Sequence, residues 1–317
     1  MTIDILPDVA LLEIFDFYVD EKNIQVWHTL VRVCQKWRNI VFGSSRRLNL
    51  RLLCKAGTPV RETLDVWPPL PIVVLDEGYE KWGVGNITAA LERNDRICRL
   101  GLHGVSSSQF ERVLAVMQQP FPELTVLTVL ALQFWRSDKT MPAIPTSLMG
   151  GSAPQLRKLT IHSVPFPGLP NLLFSATHLV YLGLFGIPHS GYISPGEMVA
   201  CLSVSTELKT LIIEFESTQS RPDRNRSPRP QTRALLPALT ELQFYGVSEY
   251  VEDLVARIDT PLLDKLTISC VRQLASHAPQ LTEFIRRTPK FKARDEERGS
   301  LYELELDPMD ILWVSLP

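Results

Sequence analysis

The 317-residue sequence has no run of eighteen apolar residues and no basic stretch followed by a hydrophobic one near its start, so neither a membrane span nor a secretory signal is readable. The chain is therefore expected in the cytoplasm or nucleus. Its five cysteines, Cys34, Cys54, Cys98, Cys201 and Cys270, are widely scattered and form no C-x-x-C pair. That pattern excludes a disulfide framework and a thiolate zinc site, and leaves reduced structural thiols. The six histidines are equally dispersed, none at ligand spacing from a carboxylate or cysteine, so no metal is expected. There is no G-x-S-x-G and no P-loop, and Gly83-Val84-Gly85 is too short for a dinucleotide fingerprint. No catalytic residue and no cofactor are assigned, and the chain is not expected to be an enzyme. A net charge of −2 excludes a strong general attraction to nucleic acid or anionic lipid, so neither is expected as a partner. Asn86-Ile87-Thr88 is a glycosylation sequon in form only, given the expected compartment.

What is present is apolar residue in quantity: 45% of the chain is hydrophobic, enough for a sizeable core and two domains. Leu6 to Val41 reads as a pair of short helices. In the first, Leu11, Leu12, Phe15, Tyr18 and Val19 recur at intervals of three and four, with Pro7 in a first turn that tolerates a missing N–H. In the second, Trp27 to Val41, the stripe is Leu30, Val31, Cys34, Trp37, Ile40 and Val41, separated by Arg32, Lys36 and Arg38. A unit of this size is marginal as an independent core, and each large apolar side chain left in water forgoes roughly 1.5 to 3 kcal/mol of burial. Some of that surface calls for a partner.

The same residues resemble the F-box. Leu6-Pro7 opens the motif, Leu11-Leu12-Glu13-Ile14-Phe15 matches its leucine-rich first helix, and Val33-Cys34-Gln35-Lys36-Trp37-Arg38 matches V-C-x-x-W-R. The match departs at Val9, usually acidic, and at Ala10, usually leucine. A generic helical hairpin is the competing reading.

Downstream, L-x-x-L-x-L occurs eight times, beginning at Ile97, Leu124, Leu156, Leu179, Leu208, Leu239, Leu263 and Leu301. The first seven have a mean period of about 28 residues, within the span of leucine-rich repeats. Within a copy the alternation has period two: Leu159 and Ile161 point inward, Lys158, Thr160 and His162 outward, and Leu156 enters the core from the turn. Helices are expected at Ser107–Gln119, Pro195–Ser203 and Glu249–Ile258. Where regular repeats place asparagine, this chain has Val105, Val164, Ile187, Val247 and Val271, with a small residue just ahead at Gly104, Ser163, Gly186 and Gly246. Apolar packing, not an asparagine ladder, is thus expected to hold the turns.

The reading is an α/β chain: a small helical F-box at 1–45, a linker at 46–70, and an irregular leucine-rich-repeat solenoid of parallel strands with helical or loop convex segments at 71–317. A doubly wound parallel sheet is the alternative, since strands alternating with helices give similar hydropathy. Ser217–Arg233, with five arginines and three prolines, reads as a disordered insertion, Lys290–Arg298 as a charged linker, and Ile311–Leu316 as a closing segment.

F-box followed by leucine-rich repeats resembles the substrate receptors of SCF ubiquitin ligases, and the proline-rich linker with irregular repeats resembles fungal members of that group. The resemblance implies docking on a Skp adaptor, and through it on a cullin, with an unknown protein substrate held on the repeats. It implies adaptor contacts at Leu6, Pro7, Leu11, Leu12, Ile14, Phe15, Leu30, Val33, Cys34 and Trp37. The substrate face is expected on outward strand positions: Lys158, His162, Tyr181, Phe185, Glu214, Gln243, Tyr245 and Lys265, with His103, Thr160, Thr210, Glu241 and Thr267 on the same ribbon. The alternative is a repeat scaffold whose F-box binds the adaptor without cullin or is degenerate.

Overall fold

The computed structural model describes residues 6–19, 25–55, 57, 59–75, 84–104, 106–130, 141–217, 232–271, 278–291, 303–307 and 311–316. The arginine-rich segment 218–231, the charged stretch 292–300 and Val105 lie outside them. The chain begins with three helices, α1 (Asp8–Tyr18), α2 (Trp27–Val33) and α3 (Gln35–Gly43). The expected second helix is therefore two. Cys34 breaks it by adopting an extended backbone (φ −158°, ψ 171°), and its thiol accepts the Trp37 N–H at 3.5 Å as the cap of α3. A cysteine counted on the apolar stripe thus serves as a helix start.

Among the described residues thirteen strands follow: β1 (Leu52–Cys54), β2 (Ile72–Leu75), β3 (Ile97–His103), β4 (Val126–Leu130), β5 (Lys158–His162), β6 (Tyr181–Ile187), β7 (Thr210–Phe215), β8 (Ala234–Leu235), β9 (Glu241–Gly246), β10 (Ile258–Asp259), β11 (Lys265–Val271), β12 (Glu303–Asp307) and β13 (Ile311–Leu316). Nine of them, β1 to β7 with β9 and β11, form a parallel sheet in chain order, while β8 and β10 pair separately. Helices α4 (Val60–Val66), α5 (Val84–Leu91), α6 (Ser107–Val116), α7 (Leu169–Ser175), α8 (Pro195–Leu202), α9 (Ser248–Ala256) and α10 (Pro279–Arg287) lie between strands. Contacts run from α4 through α5 to α6 and from α7 through α8 and α9 to α10, so the helices stack in two runs. Among the nine parallel strands the order never reverses, so they have no switch point of the doubly wound kind, and the described sheet is not a closed barrel.

Each of the first seven motif copies becomes a strand of the parallel sheet, and the turn ahead of it repeats. The N–H of Leu124, Leu156, Leu179, Leu208, Leu239 and Leu263 donates to the carbonyl three residues earlier, at 3.1 to 3.3 Å. Proline sits one residue into four of these turns, at Pro122, Pro154, Pro237 and Pro261, where its fixed φ suits the first central position. The next carbonyl then accepts two N–H groups from the following unit: Thr125 O from Arg157 and Lys158, Arg157 O from Val180 and Tyr181, Val180 O from Lys209 and Thr210, Lys209 O from Thr240 and Glu241, Thr240 O from Asp264 and Lys265. This main-chain spine satisfies the strand starts without any asparagine. At the other end of the strands Val164, Ile187 and Val247 are buried at the asparagine position, and Gly104, Ser163 and Gly186 take the left-handed backbone that the turn requires.

Residues 46–70, expected as a linker, contain β1 and α4 and bury Leu48, Leu50, Leu52, Cys54, Val60 and Leu70 in a core cluster that runs from Leu11 to Phe291. Leu48, Leu50 and Leu52 alternate at strand period, a signal obscured by the arginines around them. The eighth motif copy also fails to extend the parallel sheet. It forms β12, which pairs antiparallel with β13, and β13 in turn pairs antiparallel with β11. Only residues 308–310 join β12 to β13, too short for a parallel crossover but sufficient for a hairpin.

The C-terminal helix is anchored by a carboxylate. Glu252 of α9 accepts the N–H groups of Gln280 and Leu281 at the start of α10, both at 2.9 Å. Two donors that a helix leaves unpaired are thereby satisfied, next to the positive end of its dipole. Glu252→Ala is expected to lower stability by about 1 to 2 kcal/mol. A urea-denaturation midpoint unchanged from that of the parent would show that the cap contributes nothing.

Candidate functional site

Two surfaces stand out. The first belongs to the N-terminal helices. Leu11, Phe15, Leu30 and Trp37, four of the expected adaptor contacts, are buried in the chain's own core, with the Phe15 and Trp37 rings 4.8 Å apart. Leu6, Leu12 and Cys34 are half-buried against it, and Pro7 is exposed. Only Ile14 (47% exposed) and Val33 (54%) are large apolar members of that set that open to solvent. The helices expose three more that the motif match left out: Val9, Tyr18 and Phe17, the last 94% exposed. A helical-wheel assignment marks Val9 and Phe17, since neither shares the face of Leu11 and Phe15.

Local polar contacts fix these helices to each other. Lys36 Nζ donates to Leu6 O at 3.0 Å and sits 3.4 Å from the Asp8 carboxylate; Arg38 Nε donates to Val31 O at 3.0 Å; Arg47 pairs with Glu13. Trp27 joins them to the sheet. Its indole N–H donates to Arg51 O at 3.0 Å, and its ring packs edge-on against Trp67 of the segment after α4, with centroids 5.2 Å apart. His28 stacks on Trp67 at 5.0 Å; burial, with the nearby Arg32 charge second, pushes its imidazole below its ordinary value.

The second surface is the sheet face away from the helix layer. Strand register sets its side chains in rows. One row runs Arg99, Val126, Lys158, Tyr181, Thr210, Glu241, Lys265, and the middle row runs Gly101, Thr128, Thr160, Gly183, Ile212, Gln243, Thr267. A third has His103, Leu130, His162 and Phe185 on β3 to β6, and Glu214 beside Tyr245 on β7 and β9. All eight expected substrate-face residues thus lie on one face, whose opposite side is the core of Leu127, Leu159, Leu182, Leu211, Leu242 and Leu266. Arg99, which the expected set omits, occupies the same row as Lys158.

Within the face several of these residues touch. The Lys158 ammonium lies 4.7 Å from the centre of the Tyr181 ring, and the rings of His162 and Phe185 stack at 6.0 Å. Both aromatic rings lean over Gly183, where a Cβ would stand 2.7 Å from Phe185 and 2.9 Å from Tyr181. Further along, Lys265 Nζ and Gln243 Nε2 donate to Glu241 Oε1 at 2.7 and 2.6 Å. The Lys265 hydrogen bond, helped by that of Gln243, holds the Glu241 carboxyl below its ordinary value, whereas burial and then the Glu241 charge push the Tyr181 phenol up. Tyr245 is exposed and Glu214 half-buried; neither joins the Lys158 or His162 pairs.

Among the described residues no group of three His, Cys, Asp or Glu side chains could hold a metal ion, and no helix is long and apolar enough to cross a membrane. A cavity of about 20 Å³ beside β5 and β6, lined by Ile161, Val164, Phe166, Leu184 and Ile193 among others, is apolar and no larger than a water needs. Burial raises the thiols of Cys54 and Cys201 to about 11 and that of Cys270 to about 12, the direction opposite to a nucleophile's. No protein-family model matches the chain, and no curated protein matches it.

Proposed function

We propose that the chain is the substrate-recognition subunit of an SCF-type ubiquitin ligase, with α1 to α3 acting as an F-box on a Skp adaptor and the sheet face, as the inner surface of an irregular leucine-rich-repeat solenoid, holding a protein substrate. The carrying observation is the distribution of exposed apolar side chains. Of the ten large ones exposed among the described residues, Val9, Ile14, Phe17, Tyr18 and Val33 lie on α1 and α2. Half of the surplus is thus crowded onto two short helices at one end of the chain, as a docking surface requires. In this reading no residue of the chain performs chemistry. The substrate is kept at raised effective concentration beside the conjugating enzyme.

The test separates docking from folding. Ile14→Asp and Val33→Asp place a charge on exposed positions and are expected to weaken capture of the adaptor about tenfold or more while leaving thermal unfolding unchanged. Leu11, Phe15, Leu30 and Trp37 are unsuitable for this purpose because their loss would disturb the core. Capture of adaptor and cullin together supports the ligase. Capture of adaptor without cullin moves the conclusion to the repeat scaffold, and no capture of adaptor by the intact chain removes both.

A further inference from the structure

The sheet face is divided by charge. From β3 to β6 its outward positions hold Arg99, Lys158, His103 and His162 and not one carboxylate; Glu214 and Glu241 appear only on β7 and β9. Glu241 is already paired with Lys265. Arg157 and Lys209 are exposed but precede the outward Lys158 and Thr210 by one residue, so they lie off this face. Neither Arg99 nor Lys158 forms an ion pair with a described carboxylate, and the Lys158 ammonium lies instead against the Tyr181 ring. Two cations without a carboxylate partner, with two imidazoles on the same face, give this half a positive bias on a chain whose net charge is −2.

The shape of this half matters as much as its charge. Between the flanking rows the middle row is small, Gly101, Thr128, Thr160 and Gly183, so the face is a shallow trench across the strands. Its flanking Cα rows are four residues apart along each strand, about 13 Å, wide enough for one extended chain. At β6 the trench floor is replaced by the Tyr181 and Phe185 rings lying over Gly183, with Lys158 against one ring and His162 against the other. Such a platform accepts an apolar or aromatic side chain, and the cations around it accept carboxylates.

We propose that this half of the face, between β3 and β7, binds an acidic peptide segment that seats one apolar side chain on Tyr181 and Phe185 and sets its carboxylates or phosphates against Arg99 and Lys158. The proposal names the class of substrate for the recognition face described above and rests on that reading. A nucleic-acid strand fits less well, because its phosphate chain would run on from the cationic strip to Glu214 and Glu241, whereas a peptide can change charge along its length.

Selection of a random 12-residue peptide library on the intact, immobilised chain tests this directly. The enriched peptides are expected to be net negative with an aromatic or aliphatic residue inside the acidic run. One enriched peptide, fluorescein-labelled, is expected to bind at least about tenfold more weakly to the Lys158→Glu and Tyr181→Ala variants, with a steep loss on raising salt, and to bind no more weakly to Glu214→Gln. Unchanged thermal unfolding of the variants assigns the loss to the surface. No enrichment, enrichment of basic or neutral peptides, indifference to Lys158→Glu, or displacement by oligo-dT as effective as by the peptide itself would overturn the proposal. Failure of the adaptor capture with retained acidic-peptide binding would remove the ligase reading alone; the reverse result would remove this proposal alone.

Discussion

Trp27→Ala is expected to lower the unfolding free energy by about 3 to 5 kcal/mol, the range for removing a large buried aromatic. Trp27 is fully buried, contacts Phe42 and Trp67 ring to ring, and donates its indole N–H to the Arg51 carbonyl immediately before β1. Its removal opens a cavity at the seam between the N-terminal helices and the sheet and strands a carbonyl acceptor there. Trp27→Phe keeps most of the volume and loses only the donor, so about 1 to 2 kcal/mol is expected from it. Urea unfolding followed by circular dichroism measures both. A loss under about 1 kcal/mol for the alanine variant would mean that the helices are not seated on the sheet as described. Because Leu48, Leu50, Leu52 and Val60 extend the same core, the seam should break together with its surroundings and not as a separate early transition.

Gly186→Val is expected to cost about 3 kcal/mol, from two causes that add. The backbone at Gly186 has φ +55°, where a β-branched residue is strongly disfavoured, and a Cβ built there would stand 2.7 Å from Ser163 Oγ. The hydroxyl has little freedom to retreat: Ser163 itself has φ +56°, its Oγ is 2.9 Å from His162 Nδ1, and its N–H donates to the Phe185 carbonyl at 2.8 Å. The two turns are therefore locked to each other. Ser163→Gly removes the obstructing atom and its own backbone strain, so the double variant Ser163→Gly, Gly186→Val should be less destabilised than the sum of the singles by about 1 kcal/mol. Strict additivity in denaturant midpoints would show that the hydroxyl is not the obstacle and that backbone conformation alone sets the cost.

The strands were legible because their signal is local. Every copy of L-x-x-L-x-L, including the one at Leu301, has its strand beginning two residues after the leading position or at that position itself, as β3 does at Ile97. The helices α6, α8 and α9 start within one residue of the expected positions and end one to three residues before the expected ends. The exposed rows followed from period-two alternation, and register then brought Lys158 to Tyr181 and His162 to Phe185, pairs that spacing along the chain cannot show. The division of the N-terminal residues into core and surface was not legible. Leu11 and Ile14 look alike in the motif, yet one is fully buried and the other half in water, because burial depends on where α3 and Trp37 sit.

The identical tetrapeptides Ala153-Pro154-Gln155-Leu156 and Ala278-Pro279-Gln280-Leu281 show the division most directly. In the first, Leu156 N–H closes a three-residue turn on Ala153 O and a strand follows; in the second, Thr282 N–H closes a four-residue turn on Ala278 O and α10 follows. The sequence by itself determined the outcome to the extent that Lys158-Leu159-Thr160-Ile161 alternates at period two and Leu281, Phe284 and Ile285 recur at helical spacing. It likewise determined that seven apolar strands must stack and that the first helices carry more apolar surface than they can cover. Only the tertiary structure decided that Glu252 of α9 would cap α10, that β13 would enter between β11 and the eighth motif strand, and that β1 would bind the N-terminal helices into one core. The reason is physical: hydrophobic period is a property of neighbouring residues, whereas a cap, a strand partner and a shared core are contacts between segments far apart in the chain, chosen by which backbone donors and apolar faces remain unpaired once the local elements have formed.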